Sequence, residues 1–135
     1  WRLAIKPGRP MSAAILDGVP LMCLPGNPVA AFVCYRLVGA PVLAHIAGRT
    51  PVPVLRLPVR AGFDHHKSPG RAEYLRVVLE QAEDGSPIMQ LHGRKGAGVL
   101  SSLTGADGLI EIPVENTGVA VGDYMSFIPF REAGL

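Results

Sequence analysis

Sixteen glycines and thirteen prolines are scattered through the 135 residues, between short apolar runs and not in clusters. Glycine admits positive φ and proline removes a backbone donor, so each tends to end a regular element. A chain punctuated in this way builds many short strands joined by turns. Hydrophobic residues make up 48%, enough to fill a core, and charged residues only 18%, too few for a disordered chain. By length it is one ordinary domain or two small pieces. A net charge of +2 is too weak a bias to argue for nucleic acid or an anionic membrane. Aromatics are too sparse for base stacking.

Residues 1–5 read as a strand that starts without an initiator Met, which leads us to expect that the N-terminal part of a larger protein is absent. No apolar leader segment is visible. Lys6-Pro7-Gly8-Arg9 fits a type II turn, with Pro presetting φ and Gly accepting positive φ. Residues 11–16 and 19–24 read as strands joined by a hairpin turn at Asp17-Gly18. The second of these is apolar throughout, which suits burial on both faces. Pro25-Gly26-Asn27-Pro28 then opens the one long helix, with Asn27 as its cap and Pro28 in its first turn. Helical spacing predicts burial of Val29, Phe32, Val33 and Leu37, a break or kink at Pro41, and a stop at Gly48. The apolar stretch 29–47 is interrupted by Arg36, Pro41 and His45, so it reads as a buried helix of a soluble protein and not as a membrane span. Cys23 and Cys34 sit in apolar segments and read as buried free thiols, consistent with a reducing cytoplasm.

Composition shifts after Gly48. Residues 50–53 read as a linker, and strands are predicted at 54–59, 73–81, 87–91, 109–112 and 124–129. A hairpin turn is expected at 83–86 and a short helical turn at 101–105. The fold class is thus α/β plus β. Residues 1–48 are the end of an α/β domain, and residues 49–135 are a small all-β domain, barrel or sandwich.

Four segments carry groups suited to chemistry. Pro25-Gly26-Asn27-Pro28 places the free N–H groups and dipole of a helix N-terminus after a buried strand, an anion-binding arrangement, although capped helices without ligands are commoner. Lys6 and Arg9 flank a tight turn with Gly8 and Pro10 and can converge on one oxyanion; alone, a solvated turn is the commoner case. The loop from Gly93 to Gly98 mixes glycines with Arg94 and Lys95, as anion nests do, but matches no nucleotide fingerprint. Strand alternation puts Arg71, Glu73 and Leu75 on one face, as a ligand-facing pair or a surface ion pair. His65 and His66 point to opposite faces of an extended chain, which disfavours a shared metal, and the dispersed acidic residues form no Mg²⁺ cluster. Ser101 and Ser102 have no His or acidic partner at a readable spacing for a nucleophile.

Taken in order, Lys6-Pro7-Gly8-Arg9-Pro10, Leu24-Pro25-Gly26-Asn27-Pro28-Val29, Arg71-Ala72-Glu73, the stretch from Gly93 to Leu103, and Ala106-Asp107-Gly108-Leu109 resemble the molybdopterin molybdenumtransferase family, which includes the gephyrin E domain. The resemblance covers essentially the whole chain. It implies the C-terminal end of a three-layer α/β molybdopterin-binding domain, followed by a small β-barrel-like C-terminal domain. It further implies an insertase that joins molybdate to adenylylated molybdopterin and releases AMP with Mg²⁺ taking part. Such a protein works in the cytoplasm as a homodimer, without nucleic acid or membrane partners.

On that resemblance the substrate-binding positions are Lys6, Gly8, Arg9, Pro10, Pro25, Gly26, Asn27, Pro28, Arg71 and Lys95. No catalytic or metal-ligating residue falls within the chain, which alone would be inactive. Arg9 stands where the family usually has Lys, Lys95 where it has Gln, Ala97 where it has Ser, and Asp107 where it has Asn. The Lys95 and Ala97 departures support one alternative, a non-catalytic molybdopterin-binding or scaffold module; a β domain that only packs or dimerises is another, and the two cation-bearing turns argue against it.

Overall fold

The computed structural model describes residues 3–93 and 100–131. In chain order its elements are β1 (Ile5–Lys6), β2 (Ser12–Leu16), β3 (Val19–Cys23), α1 (Pro28–Cys34), a π-helical turn (Tyr35–Gly39), α2 (Ala40–Ile46), β4 (Leu57–Ala61), β5 (His65–His66), β6 (Ala72–Gln81), β7 (Pro87–Leu91), α3 (Ser101–Thr104), β8 (Gly108–Ile112), β9 (Gly118–Val119) and β10 (Tyr124–Pro129). The strands from 57 onward settle the choice between sandwich and barrel. They run β6–β7–β4–β10–β8 and close through a β6–β8 pairing. Closure gives every strand of the ring a neighbour on both sides, although part of one β6 edge stays unpaired. Within it β4 and β7 are parallel, and every other pair is antiparallel.

Period-two alternation sorts the side chains. Val59, Ala61, Phe63, Val77, Met89, Ile110, Ile112, Val119 and Phe127 fill the barrel. Their neighbours Tyr74, Leu109 and Ile128 form a second cluster with Val33 of α1 and with Ile5 and Leu37. Phe32 meets Phe130 edge-on, with ring centroids 5.0 Å apart. The N-terminal segment therefore lies against the barrel, and β1 extends it by pairing parallel to the start of β6. Lys67, buried at 5% exposure, donates to the carbonyls of Val114 (3.2 Å) and Asn116 (2.6 Å), which ties down the loop between β8 and β9.

Local chemistry explains the helix. The Asn27 side chain accepts from Val29 N (3.0 Å) and Ala30 N (3.2 Å), with Pro28 in the first turn. Pro41 neither breaks nor ends the helix. It lacks a donor and would crowd the preceding turn, and the chain widens there into the π-helical turn, with Ala40 N–H bonded to the Tyr35 carbonyl. Gly48, at φ +69°, ends α2 as expected: its N–H bonds His45 O, and Arg49 N–H bonds Ala44 O. The turn at Asp17-Gly18 has positive φ at both positions, as a two-residue hairpin requires.

Several expectations change. The strand at 19–23 is exposed, not buried on both faces. Ile15, Leu16 and Val19 are 77%, 62% and 61% exposed, because β2 and β3 pair only with each other. Cys34 is buried, but Cys23 on this hairpin is exposed; both are free. Only the first part of the helix is buried, through Val29, Ala30, Val33 and Cys34, and α2 buries no residue. By length and composition alone, 28–46 could cross a membrane, yet Val33 and Cys34 lie fully covered in this fold. Phe32 and Leu37 are half-buried. The turn after β1 closes from Gly8 O to Met11 N (3.1 Å) and not across Lys6 to Arg9. Gly8, at φ +129°, lies so close to α1 that a Cβ would meet Cys34 Sγ at 2.7 Å and Ile5 Cδ1 at 2.8 Å. That contact with the helix fixes where the turn falls.

Gly108 marks where the ring is tightest: a Cβ there would strike the Ile128 carbonyl and the Phe127 ring. Gly108→Ala should cost about 2–4 kcal/mol of unfolding free energy. Denaturant titration would show this as a lower midpoint with an unchanged slope.

Candidate functional site

Strand β6 has more partners than one edge can hold at once. Glu73 lies opposite Lys6 of β1 on one edge and Ile112 of β8 on the other. From Val77 onward the first edge belongs to β7. Between them, Tyr74 and Leu75 pair with β8 but have no strand partner on the other edge among the described residues, while the Arg76 carbonyl accepts from His92 N just past β7 (2.9 Å). A cavity of about 300 Å³ opens at this gap. Its wall is drawn from the end of β1 (Lys6, Pro7), the helix entry (Asn27, Val29), β5 (His65, His66), β6, and the end of β7 (His92, Gly93).

The charges at this wall are unbalanced. Lys6 and Arg76 line it with a single carboxylate, Glu73, and three histidines, His65, His66 and His92, complete the polar lining. The Glu73 side chain is only 7% exposed, and its two oxygens take different partners: Lys6 Nζ at 2.8 Å and His65 Nε2 at 3.1 Å. Burial pushes the Glu73 carboxyl up, but the hydrogen bonds and charges of Lys6 and His65 outweigh it and hold the group below its ordinary range. His65 is 7% exposed and stands on the β5–β9 pair. Gly118 makes that pair possible, since any Cβ there would collide with the His65 carbonyl. Lys6 is 59% exposed, so its ammonium reaches the cavity and solvent together. Arg76 bonds the buried Ser102 hydroxyl through one guanidinium nitrogen. Gly105 leaves room for His92, whose Nε2 would lie 2.7 Å from a Cβ at that position.

The predicted site residues divide. Lys6 and Asn27 line the cavity. Gly8 is buried beneath it against α1, while Arg9, Pro10, Gly26 and Arg71 are exposed and Pro25 and Pro28 half-exposed, none of them in its wall. Lys95 and Ala97 lie outside the described residues. Glu73 pairs with Lys6 and His65, so the Arg71–Glu73 pairing expected from alternation is replaced. Asp107 uses its carboxylate to accept from Leu79 N (2.8 Å), a backbone role on the barrel wall. The helix-entry N–H groups of Val29 and Ala30 are already taken by Asn27. What sequence reasoning missed is that His65, Arg76 and His92 line one cavity. His65 was visible only as a metal candidate. Among the described residues no group of three or more His, Cys, Asp or Glu is placed to hold a metal ion.

A second polar cluster lies on the outer face of the barrel. Glu111 accepts from Tyr74 Oη (2.6 Å) and Arg56 Nε (2.5 Å). Burial and then the Glu111 carboxylate push the Tyr74 hydroxyl up, so it stays a neutral donor. The three groups bond to one another on the barrel wall.

This architecture is a small closed β-barrel with an appended strand and helix and a cationic cavity at its rim. Residues 58–130, more than half of the chain, match the MoeA C-terminal region (domain IV), and the chain belongs to that family. It is 28% identical over 132 residues to the molybdopterin molybdenumtransferase of Haemophilus influenzae, covering 97% of this chain and 33% of that protein. It is 31% identical over 120 residues to the molybdenum cofactor synthesis protein cinnamon of Drosophila melanogaster, covering 86% of this chain and 19% of that protein. The solved structure of the molybdopterin biosynthesis MoeA protein from Pyrococcus horikoshii superposes with a TM-score of 0.72 at 27% identity, over 96% of this chain and 32% of that one. The chain thus spans about a third, or less, of the length of these relatives.

The lowered Glu73 carboxyl has a stability consequence with a definite sign. A carboxylate that titrates lower when folded contributes stability that is full above its unfolded pKa, about 4.3. That contribution is lost as pH falls through the lower folded value. Glu73→Gln should therefore flatten the acid limb of melting temperature against pH below about pH 4–5. An acid limb as steep as the wild type's would contradict the assignment.

Proposed function

We propose that this chain is the C-terminal portion of a molybdopterin molybdenumtransferase, in which its cavity binds an oxyanionic part of the substrate. Family membership supports this reading, as do relatives named for that activity. The single observation that carries it is the cavity at the β6 edge, lined by Lys6, Arg76 and His92 with one carboxylate that is already paired with Lys6 and His65. Such a wall favours molybdate or a phosphate group. Asn27 lines the same cavity. The substrates are adenylylated molybdopterin and molybdate, and AMP is released.

This chain's own residues would bind and orient the oxyanion and would supply no nucleophile. Mg²⁺ takes several oxygen ligands. Among the described residues the one carboxylate at the cavity is tied to Lys6 and His65, so they do not fit a Mg²⁺ site. Any ligands for that ion come from other parts of the protein, and this chain alone is inactive. The exposed apolar hairpin β2–β3 supports a larger α/β unit whose sheet covers it. A homodimer in the cytoplasm completes the reading.

A binding or scaffold role without catalysis is the second reading. It is favoured by Arg9 and Arg71 standing outside the cavity wall.

In the protein that carries this chain, Lys6→Ala should lower molybdate insertion at least about tenfold, the scale of one lost charge-assisted contact. Melting temperature should fall only modestly, because Glu73 loses a solvent-screened partner and keeps His65. Unchanged insertion would remove Lys6 from the site.

A further inference from the structure

A buried carboxylate at the wall of an anion site is at first sight a defect, because its charge opposes the ligand. Three observations explain it. Glu73 stands directly opposite Lys6 in the parallel β1–β6 register, so the two side chains leave the sheet on the same side. Its oxygens are divided, one to Lys6 Nζ at 2.8 Å and one to His65 Nε2 at 3.1 Å. The Glu73 and His65 side chains are each 7% exposed, whereas Lys6 is 59% exposed. The lysine stem has four rotatable carbons and three donors on its ammonium. With one donor bound to a fixed acceptor, the other two are aimed and not free to wander.

We propose that Glu73 is a positioning residue: it holds the Lys6 ammonium at the cavity wall for a tetrahedral oxyanion, and His65 keeps the carboxylate from turning away. The role rests on the oxyanion reading of the cavity. It assigns to the β5–β9 pair, which carries His65, a purpose beyond closing the barrel's end. Glu73 itself touches no ligand and acts through Lys6.

The sign of one effect separates this role from a plain electrostatic one. Glu73→Leu removes a negative charge from the wall, so Coulomb attraction alone would tighten oxyanion binding. Loss of positioning weakens it. Molybdate alone is titrated calorimetrically into the protein that carries this chain, as wild type, Lys6→Ala, Glu73→Leu and the double variant. The expected result is binding about tenfold weaker in Glu73→Leu, with no further loss when Lys6 is already Ala.

Tighter or unchanged binding in Glu73→Leu, with Lys6→Ala still weakened, overturns the positioning role and leaves the oxyanion reading standing. Unchanged binding in Lys6→Ala overturns that reading and the proposal with it. If Glu73→Leu does not fold, His65→Leu loosens Glu73 while keeping its charge. It should weaken binding about threefold when Lys6 is present and not at all in Lys6→Ala. An equal loss in both backgrounds would mean His65 is only structural, and would overturn the proposal.

Discussion

The structure depends on how strand β6 divides its edges. A strand has two, and β6 gives one to β8 while sharing the other between β1 and β7. The first arrangement closes the barrel, and the second leaves a gap. Because the ring is otherwise sealed, that gap is where backbone ends, loop residues and the helix entry can meet. The cavity is a consequence of strand pairing and needs no separate loop to form it.

The same division explains the polarity of the cavity. Residues of β6 alternate between the barrel interior, where Leu75 and Val77 pack, and the helix-covered outside, where Tyr74 packs. Glu73 follows the interior set but sits at the end of the strand, where apolar filling stops. A lone carboxylate there would be costly. Lys6 and His65 reach it because β1 and the β5–β9 pair end at the same rim. Removing either neighbour would leave Glu73 short of a partner in a nearly closed site. The cost would fall below the roughly 3–5 kcal/mol of a fully buried pair, because the exposed lysine is solvent-screened.

Local chemistry was legible in the sequence wherever one residue decides the outcome. Asn27 as cap, Asp17-Gly18 as a hairpin turn, Gly48 as a helix stop and the strands at 87–91 and 124–129 all follow from short-range rules. Pro41 was legible only in part: its missing donor was predictable, but the widened turn that absorbs it depends on neighbouring residues. The two-residue strands β5 and β9 carry no periodicity to detect and exist only through each other. The exposure of 19–23 could not be read from apolarity, since burial depends on what lies opposite. The central contact, Lys6 with Glu73, joins residues far apart in sequence through a parallel register that no local pattern encodes. Lys6 was found through its turn, and Glu73 only as a neighbour of Arg71.

The geometry also decides which kind of anion site this is. A helix N-terminus binds anions with its unpaired N–H groups. Here Asn27 spends its side-chain oxygen on two of them, Val29 and Ala30, so the entry of α1 has little left to donate. Recognition is therefore carried by side-chain cations. Ammonium and guanidinium groups on stems are movable, and each needs its own restraint to act as a fixed donor. Arg76 has such a restraint in Ser102, and Lys6 has one in Glu73. A site that has given its backbone donors to capping must hold its cations by second contacts, and the buried carboxylate and the buried hydroxyl are those contacts.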